Sequence, residues 1–420
     1  MGYNITNIGR IGIAHQTTYG TATTSGFTAM ECEASLPPVA REVFERNAIT
    51  SGHYRLTPIE GSQHGQEYSL TFPIHGYSSS TVSSAPALLT VGAIAHPEAQ
   101  ILKAILGNAH TDSDSYIAAG TTVQASDNSL IQVQVGVDTD LSDNTAAGAA
   151  VAVPVTDASF TGLQTRAAFI TSITDTDPDT YNLLQPLGGT TAAGANVYGA
   201  KTIFLDTTIT PQFFTLEWRS LDNDSRVLLD SCNVKSVEMT LDPRGVAMMT
   251  ATFIVNGITA DDDTALTTTA YTLPVLPTCI GNNSARFLKG SVETAVNNLS
   301  ITIEAQYAPR LSHNVSNGVA GLLCTGRSVE MKFSELLTAA PATTLTTAPD
   351  PAFFQLGNTA GNIMAVCMPA PVMYEVGALA DAENTVTQEV TYRAGSYTAD
   401  TATSGASPDP ADSDFRIAFL

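Results

Sequence analysis

Long apolar segments are missing from this 420-residue chain, and so is a basic region at its start. No uninterrupted apolar run approaches the roughly 18 to 20 residues that a membrane-spanning helix needs. The first residues, MGYNITNIGR, do not have the basic and then apolar pattern of a secretory signal. We therefore expect a chain that folds in a cytoplasm and has no membrane partner.

Positive charge is also scarce. Lys and Arg number 18 against 40 Asp and Glu, which leaves a formal net charge of -22, and the acidic residues are spread along the chain. A nucleic-acid-binding protein needs clustered Lys and Arg for its phosphate contacts, so this class is disfavoured. Ordinary acidic solubility accounts for the charge. A surface that lets nucleic acid pass without holding it is the second interpretation.

Cysteines are few and isolated. The five are Cys32, Cys232, Cys279, Cys324 and Cys367. Their odd number, their wide spacing and the lack of a CxxC pair argue against a disulfide framework and against a zinc site. We interpret them as small buried hydrophobic residues.

Sequence patterns that carry catalysis or metal binding are lacking as well. The seven histidines form no HExxH motif, and no GxSxG elbow, P-loop or dinucleotide fingerprint occurs. The acidic run 175–179 imitates the start of a calcium loop, but Thr180 and Pro186 stand where an EF-hand has Gly and Glu. A second acidic cluster, 261–263, leaves open a weak cation site between domains. We expect a protein with no catalytic residues, no cofactor and no metal.

The residues that are abundant favour strands. Apolar and polar residues alternate in 67–72, 236–241 and 249–255, and this period of two is typical of half-buried β-strands. The turn sequence Asp-Pro-Arg-Gly at 242–245 predicts a hairpin between the last two runs. The sequence therefore predicts a mainly β protein.

Only two short helices are expected. The first covers 97–107, PEAQILKAILG, where Pro97 suits the first turn and Gly107 is a stop signal. The second is a shorter candidate at 333–340, FSELLTAA.

Three sequence patterns occur twice, in the same order. The run 65–72, GQEYSLTF, resembles 326–333, GRSVEMKF, and 211–216, PQFFTL, resembles 351–356, PAFFQL. The strand pair that follows, VKSVEMTLDPRGVAMMTATFIV, resembles PVMYEVGALADAENTVTQEVTY. This last alignment places Glu238 opposite Glu375 and Phe253 opposite Val390. The shared order indicates a tandem duplication.

The duplication predicts a domain division. We expect an N-terminal arm at 1–19, a first module at 20–258, a linker at 259–284 and a second module at 285–420. The two copies differ in length because the first carries extra residues at about 78–210. We interpret that insertion as a small β domain displayed on a loop, since lengthening a loop costs little entropy.

The order of these patterns resembles a known family. A GxxYxLxF strand, a short helix ending in ILKAILG, an aromatic strand FFTLEW and the run LLDSCNVKSVEMTLDPRGVAMMTATFIVNG follow one another. This arrangement resembles the tail tube proteins, or major tail proteins, of long-tailed, siphovirus-like bacteriophages. The resemblance implies two tandem β-sandwich modules with short flanking helices, whose sheets join across subunits into a β-barrel that lines the tube.

The resemblance also implies how the chain assembles. Members with a single module form hexameric rings, so two fused modules predict three chains per ring, with a pseudo-hexameric arrangement and the insertion outside. Implied partners are further copies of the chain, the tape measure protein and the tail terminator, in a virion tail assembled in the host cytoplasm. DNA would pass through the lumen during ejection without specific binding.

DNA that slides through a tube requires a wall without favourable phosphate contacts, so acidic side chains should outnumber basic ones there. Glu238 and Glu375 are the candidate lumen-facing residues, because each lies on a repeated strand in the phase opposite the apolar residues. Two alternatives stay open. One is another virion β protein, such as a baseplate hub or tail terminator, and the other is a bacterial surface adhesin or carbohydrate-binding β protein.

Overall fold

The computed structural model confirms the prediction of a mainly β protein. It describes residues 9–30, 32, 43–50, 53–60, 65–75, 96–111, 132–135, 146–156, 163–174, 179–188, 190–191, 198–206, 212–220, 226–241, 245–261, 285–314, 318–337, 342, 345, 350–359, 362–382, 385–401 and 409–420. Within these ranges one α-helix occurs and the other regular elements are strands. No helix in the described part of the chain has the length and apolarity needed to span a membrane.

The described residues form the following helix and strands, in chain order. They are β1 (Gly9–Gln16), β2 (Thr28–Met30), β3 (Val43–Thr50), β4 (His53–Glu60), β5 (Gln66–Pro73), α1 (Pro97–Leu106), β6 (Gly107–Thr111), β7 (Gln132–Val135), β8 (Ala150–Thr156), β9 (Leu163–Thr174), β10 (Asp179–Leu183), β11 (Thr190–Thr191), β12 (Tyr198–Gly199), β13 (Lys201–Leu205), β14 (Phe213–Ser220), β15 (Arg226–Leu241), β16 (Met248–Val255), β17 (Gly257–Asp261), β18 (Ala285–Lys289), β19 (Val292–Glu293), β20 (Val296–Leu311), β21 (Val319–Leu336), β22 (Ala352–Leu356), β23 (Met364–Met368), β24 (Pro371–Ala382), β25 (Thr385–Ala394) and β26 (Arg416–Phe419).

The strands form three larger sheets and a separate hairpin. The long sheet has the order β2-β1-β14-β15-β20-β21-β25-β24, and β16 and β17 also pair with β15 while β5 pairs with β16. A seven-stranded sheet has the order β19-β18-β22-β23-β26-β13-β6. β7 to β12 form a six-stranded sheet, and β3 pairs only with β4 among the described strands.

The predicted helix at 97–107 is confirmed as α1. His96 caps its start, since the backbone N–H of Ala99 donates to His96 Nδ1 at 3.1 Å, and Pro97 occupies the first turn. Gly107 ends the helix with a φ of 110°, a conformation that glycine adopts without steric cost. All ten residues of α1 are buried, and the helix packs against β13 and β15.

β15 belongs to two ladders because it bends at Ser231. Its first half pairs with β14 and β17, and its second half pairs with β16 and β20. Ser231 has a φ of 49°, which is unusual for a residue with a side chain. The buried Gln16 holds the bend: its Oε1 accepts from the Ser231 backbone N–H and its Nε2 donates to Ser231 Oγ, both at 2.8 Å.

Two series of strands have the same pairing order. The first series has the order β2, β1, β14, the first half of β15, and β17. The second has the order β19, β18, β22, β23 and β26. The order β5-β16-second half of β15 likewise matches β21-β25-β24. The repeated Phe-Phe patterns begin β14 and β22, which hold the same position in the two series.

The registers of the two series agree at one predicted pair and differ at the other. Glu238 pairs with Thr250 and Glu375 pairs with Thr391, so the two glutamates hold the same place in their ladders. The alignment of Phe253 with Val390 is wrong. Phe72 pairs with Met249 and its counterpart Phe333 pairs with Val390, so Val390 corresponds to Met249. The offset arises because 16 residues separate Glu375 from Thr391 whereas 12 separate Glu238 from Thr250, so the β24–β25 hairpin is longer.

The described sheets form three layers, with apolar residues packed between each layer and the next. The main core lies between the long sheet and the seven-stranded sheet and contains buried residues of both, with Phe287 packed on Phe333 at a ring-centroid distance of 4.7 Å. Burial of each such side chain contributes about 1.5–3 kcal/mol. The other side of the seven-stranded sheet packs against β8 and β9, where Phe353 contacts Phe169 edge to face at 6.2 Å.

Residues 78–210 therefore lie in more than one sheet. β7 to β12 form their own sheet with a small core of their own around Val153 and Tyr181. β6 and β13, also within this range, pair side by side, and β13 pairs with the C-terminal β26. The structure thus embeds part of this segment in the main body, where the sequence predicts a domain displayed on a loop.

Three further expectations differ from the structure. The helix at 333–340 is wrong, because β21 continues as a strand to Leu336, and 338–341 lie outside the described residues. The expected linker 259–284 begins inside β17, which pairs with β15 as far as Asp261. The expected arm 1–19 contains β1, which pairs with β14. The hairpin between β15 and β16 is confirmed, although 242–244 lie outside the described residues.

Candidate functional surface

Seven adjacent strands of the long sheet have one face on the main core and one face away from it. These strands are β5-β16-β15-β20-β21-β25-β24. Core-facing and outward residues alternate; in β5, Tyr68, Leu70 and Phe72 are buried. We call the outward side the open face. The polar residues along it are Glu67, Ser69, Thr71, Lys235, Ser236, Glu238, Thr240, Thr250, Thr252, Ser300, Thr302, Glu304, Ser328, Glu330, Lys332, Glu375, Glu389, Thr391 and Arg393.

Hydroxyl side chains make up much of the open face. Ser69 and Thr252 share a hydrogen bond of 2.9 Å across neighbouring strands, and Thr71 and Thr250 share one of 3.0 Å. Threonine suits these positions because its branched side chain favours a strand while its hydroxyl contacts water. The alternation therefore produces a wet surface on which hydroxyl groups lie between charged side chains.

Three ion pairs involve the three basic groups named on this face. Lys235 lies 2.5 Å from Glu67, Lys332 lies 2.9 Å from Glu389, and Arg393 lies 2.5 Å from Glu330. The hydrogen bond that Lys332 donates to Glu389, together with the charges of Glu389 and Glu375, raises the pKa of Lys332. Because these pairs are exposed, each adds only about 0–1 kcal/mol to stability.

Three carboxylates on the open face are in excess of these pairs. Glu238, Glu304 and Glu375 are exposed, and no basic side chain within the described ranges forms an ion pair with them. The described open face thus holds six carboxylates and three basic groups, a surplus of three negative charges. At neutral pH such a surface repels phosphate groups.

The structure places both predicted lumen candidates on the open face, and their role stays a prediction. It does not bring them together, because β20, β21 and β25 separate Glu238 on β15 from Glu375 on β24. Glu304, which pairs with Ser236 beside Glu238, was missed. The signal for it was available, since Glu304 alternates with Ile303 and Ala305, both buried.

Groups with potential chemistry elsewhere are buried or already paired. Within the described residues, no three His, Cys, Asp or Glu side chains are arranged to hold a metal ion. The described cysteines are free, and burial raises the pKa of Cys32 and of Cys367 to about 12, which keeps both thiols protonated. His75 Nδ1 lies 2.6 Å from Glu98 Oε1 in a buried pair beside the start of α1.

Comparison with known proteins agrees with this architecture. No curated protein sequence matches the chain significantly. The family model described as phage tail tube protein matches residues 6–394, which is nearly the whole chain. The matched range includes every strand of the open face. The chain belongs to the phage tail tube protein family.

Proposed function

We propose that this protein polymerises into stacked rings that form the tube through which phage DNA is ejected into the host. Its family makes it a structural component of the virion tail. The observation that supports the finer proposal most strongly is the open face, a continuous polar wall of seven strands with a surplus of carboxylates. The tape measure protein and the tail terminator are its expected partners in the tail.

We also propose that the chain consists of two tandem modules. The identical pairing order of the two strand series supports this, as does the equivalence of Glu238 and Glu375. The first module would comprise 20–258 without the insertion, extended to take in β1 and β17, and the second would comprise 285–420. The residues between Asp261 and Ala285 would connect them.

Two modules in one chain suggest three chains per ring. The modules already join side by side, since the second half of β15 in the first pairs with β20 in the second. Three such pairs would supply six positions around a closed barrel, which satisfies every strand edge. The ring would have true threefold and approximate sixfold symmetry.

The layer order supports the open face as the inner wall. The six-stranded sheet of the insertion packs on the side of the seven-stranded sheet that faces away from the main core. The six-stranded sheet and the open face are therefore on opposite sides of the described structure. If the open face lines the lumen, the six-stranded sheet lies on the outside of the tube and does not narrow the channel.

Cryo-electron microscopy of the purified, polymerised chain tests the ring directly. We expect hollow tubes, and helical reconstruction should show three chains per ring with both modules in the barrel. Six chains per ring, or a second module outside the barrel, would contradict the proposed arrangement. Protein that stays monomeric under all assembly conditions would contradict tube formation itself.

Charge reversal tests the acidic wall. The variant Glu238→Lys, Glu304→Lys, Glu375→Lys replaces three negative by three positive charges on the open face of each chain. Filter binding of linear DNA to assembled tubes should show no retention for the unmodified chain and retention for the variant. Retention should weaken steeply as salt rises from about 50 to 200 mM, because phosphate contacts release counterions.

A matched control separates the wall from net charge. Glu293→Lys makes the same charge change as Glu238→Lys on the exposed β19, at the edge of the seven-stranded sheet, and it also removes the 3.6 Å ion pair between Glu293 and Arg286. Tubes of the Glu293→Lys variant should not retain DNA, like tubes of the unmodified chain. Equal retention by the two single variants would show that the open face is not the inner wall.

A further inference from the structure

Three titratable side chains lie together in the interior at the start of α1. His75 follows β5, His96 is the N-cap residue of α1, and Glu98 lies in the first turn of the helix. The three residues are only 2–4% exposed. Glu98 Oε1 lies 2.6 Å from His75 Nδ1, and Glu98 Oε2 lies 3.5 Å from His96 Nδ1. We call this group the His-Glu cluster.

The hydrogen bonds of His96 require a neutral imidazole ring. The backbone N–H of Ala99 donates to His96 Nδ1 at 3.1 Å, so this nitrogen acts as an acceptor and carries no proton. The other ring nitrogen, Nε2, therefore carries the proton and donates to the carbonyl oxygen of His75 at 3.3 Å. The cap at the start of α1 thus exists only while Nδ1 of His96 is unprotonated.

The surroundings of His96 oppose a positive charge on its ring. Burial lowers the pKa of His96 more than the charge of Glu98 raises it, and the charges of His75 and of Lys201 in β13 lower it further. Among the described groups that act on this ring, Glu98 is the only one with a negative charge. One carboxylate balances one positive charge, whereas His75, His96 and Lys201 can each carry one. A proton added to His96 therefore leaves a positive charge without a partner in the interior, which is costly.

The His-Glu cluster also connects α1 to both sheets of the main core. β5 belongs to the long sheet, and His75 follows it along the chain. The His96 ring packs on Phe419 of β26, in the seven-stranded sheet, at a ring-centroid distance of 4.9 Å. The first turn of α1 is buried as well. A change at His96 therefore acts where the helix and the two sheets meet.

We propose that the His-Glu cluster is an acid-sensitive latch that holds the first turn of α1 at neutral pH and releases it in mild acid. Protonation of His96 at Nδ1 removes the acceptor of the Ala99 N–H and places an additional positive charge near Lys201. Because the pKa of His96 is lower in the folded than in the unfolded subunit, the neutral ring stabilises the fold above about pH 6.5. That stabilisation is lost as the pH falls below this value. The latch is a property of the subunit and does not rest on the proposed ring.

Hydrogen exchange of unassembled full-length subunits at about pH 7.5 and about pH 5.5, on either side of the ordinary histidine pKa, tests the latch. The first turn of α1 includes the amides of Ala99 and Gln100, which both donate to His96. After correction for the intrinsic rate at each pH, exchange there should rise by up to about tenfold at the lower pH, where an exposed imidazole is about ten times more often charged than neutral.

One variant and one control identify the responsible group. His96→Asn keeps a capping side chain without a titratable group, so its corrected exchange should be the same at both pH values. His313→Asn makes the same change at an exposed histidine and should retain the response to acid.

Two outcomes overturn the latch. One is corrected exchange in the first turn that does not change with pH in the unmodified chain, and the other is an acid response that survives in His96→Asn. If His96→Asn subunits do not fold, NMR of the unmodified chain with isotope-labelled histidine gives a second measurement. The His96 ring, assigned through its contact with Phe419, should carry its proton on Nε2 at neutral pH and gain a proton on Nδ1 only in acid. A proton on Nδ1 at neutral pH would overturn the proposal.

Discussion

Ser231 lies at the bend of β15, and its replacement tests how the bend is maintained. Its Oγ accepts hydrogen bonds from Gln16 Nε2 at 2.8 Å and from the Gly20 backbone N–H at 2.7 Å. Ser231→Ala removes the acceptor of both donors, and each lost hydrogen bond contributes about 0.5–1.5 kcal/mol. Gln16 Nε2 keeps a bond of 2.7 Å to the Thr18 carbonyl oxygen, and Gly20 is exposed to water, so neither donor is left buried without a partner. We therefore expect a loss of about 1–3 kcal/mol in the free energy of unfolding.

Ser231→Gly is the matched variant. It loses the same two hydrogen bonds, but glycine adopts the observed φ of 49° without the cost of about 1–2 kcal/mol that a side chain imposes. Part of that gain is offset by the greater flexibility of unfolded glycine, so the Gly variant should be about 1 kcal/mol more stable than the Ala variant. Urea unfolding of unassembled subunits measures the order. An Ala variant as stable as the Gly variant would refute strain at Ser231, and an unchanged Ala variant would refute the role of the hydroxyl.

Three further predictions concern the fold. Arg416 and Asp400 form a fully buried ion pair, so Asp400→Asn should cost about 3–5 kcal/mol by leaving a buried unpaired cation, and adding Arg416→Met should restore most of the loss in urea unfolding. Gly357→Ala places a Cβ against the backbone oxygen of Asn362 and should lower the melting temperature. Gly20 has a similar positive φ but open space around it, so Gly20→Ala should lower the melting temperature less, and equal effects would contradict the role of the clash. Iodoacetamide at neutral pH should modify Cys367 only in denaturant, because the thiol is fully buried and its pKa is raised to about 12; native labelling at the unfolded rate would contradict its burial.

The sequence predicted those elements whose residue patterns depend only on neighbouring positions in the chain. α1 was predicted because Pro97 and Gly107 mark its ends, and β5, β15 and β16 because their apolar residues alternate. The candidates Glu238 and Glu375 came from the same alternation. A repeat of short motifs was enough to predict that β14 and β22 hold equivalent positions.

Features that depend on distant contacts were not predicted. The run at 333–340 has helical composition, but Phe333 lies in the main core and pairs with Val390, so β21 continues through it. β13 is part of the seven-stranded sheet because it pairs with β26, more than two hundred residues away in sequence. The bend at Ser231 depends on Gln16 in β1. Periodicity carries no information about such partners.

The pairing of β15 with β20 has a consequence for how the subunit unfolds. This ladder and the shared main core link residues on both sides of the connection between Asp261 and Ala285. The two halves cannot separate without exposing that core, so calorimetry should record one cooperative transition for them where independent domains would give two. In the proposed ring, the same link would make every second joint between modules intramolecular. The formation of that joint would be independent of protein concentration, and dilution would open only the joints between chains.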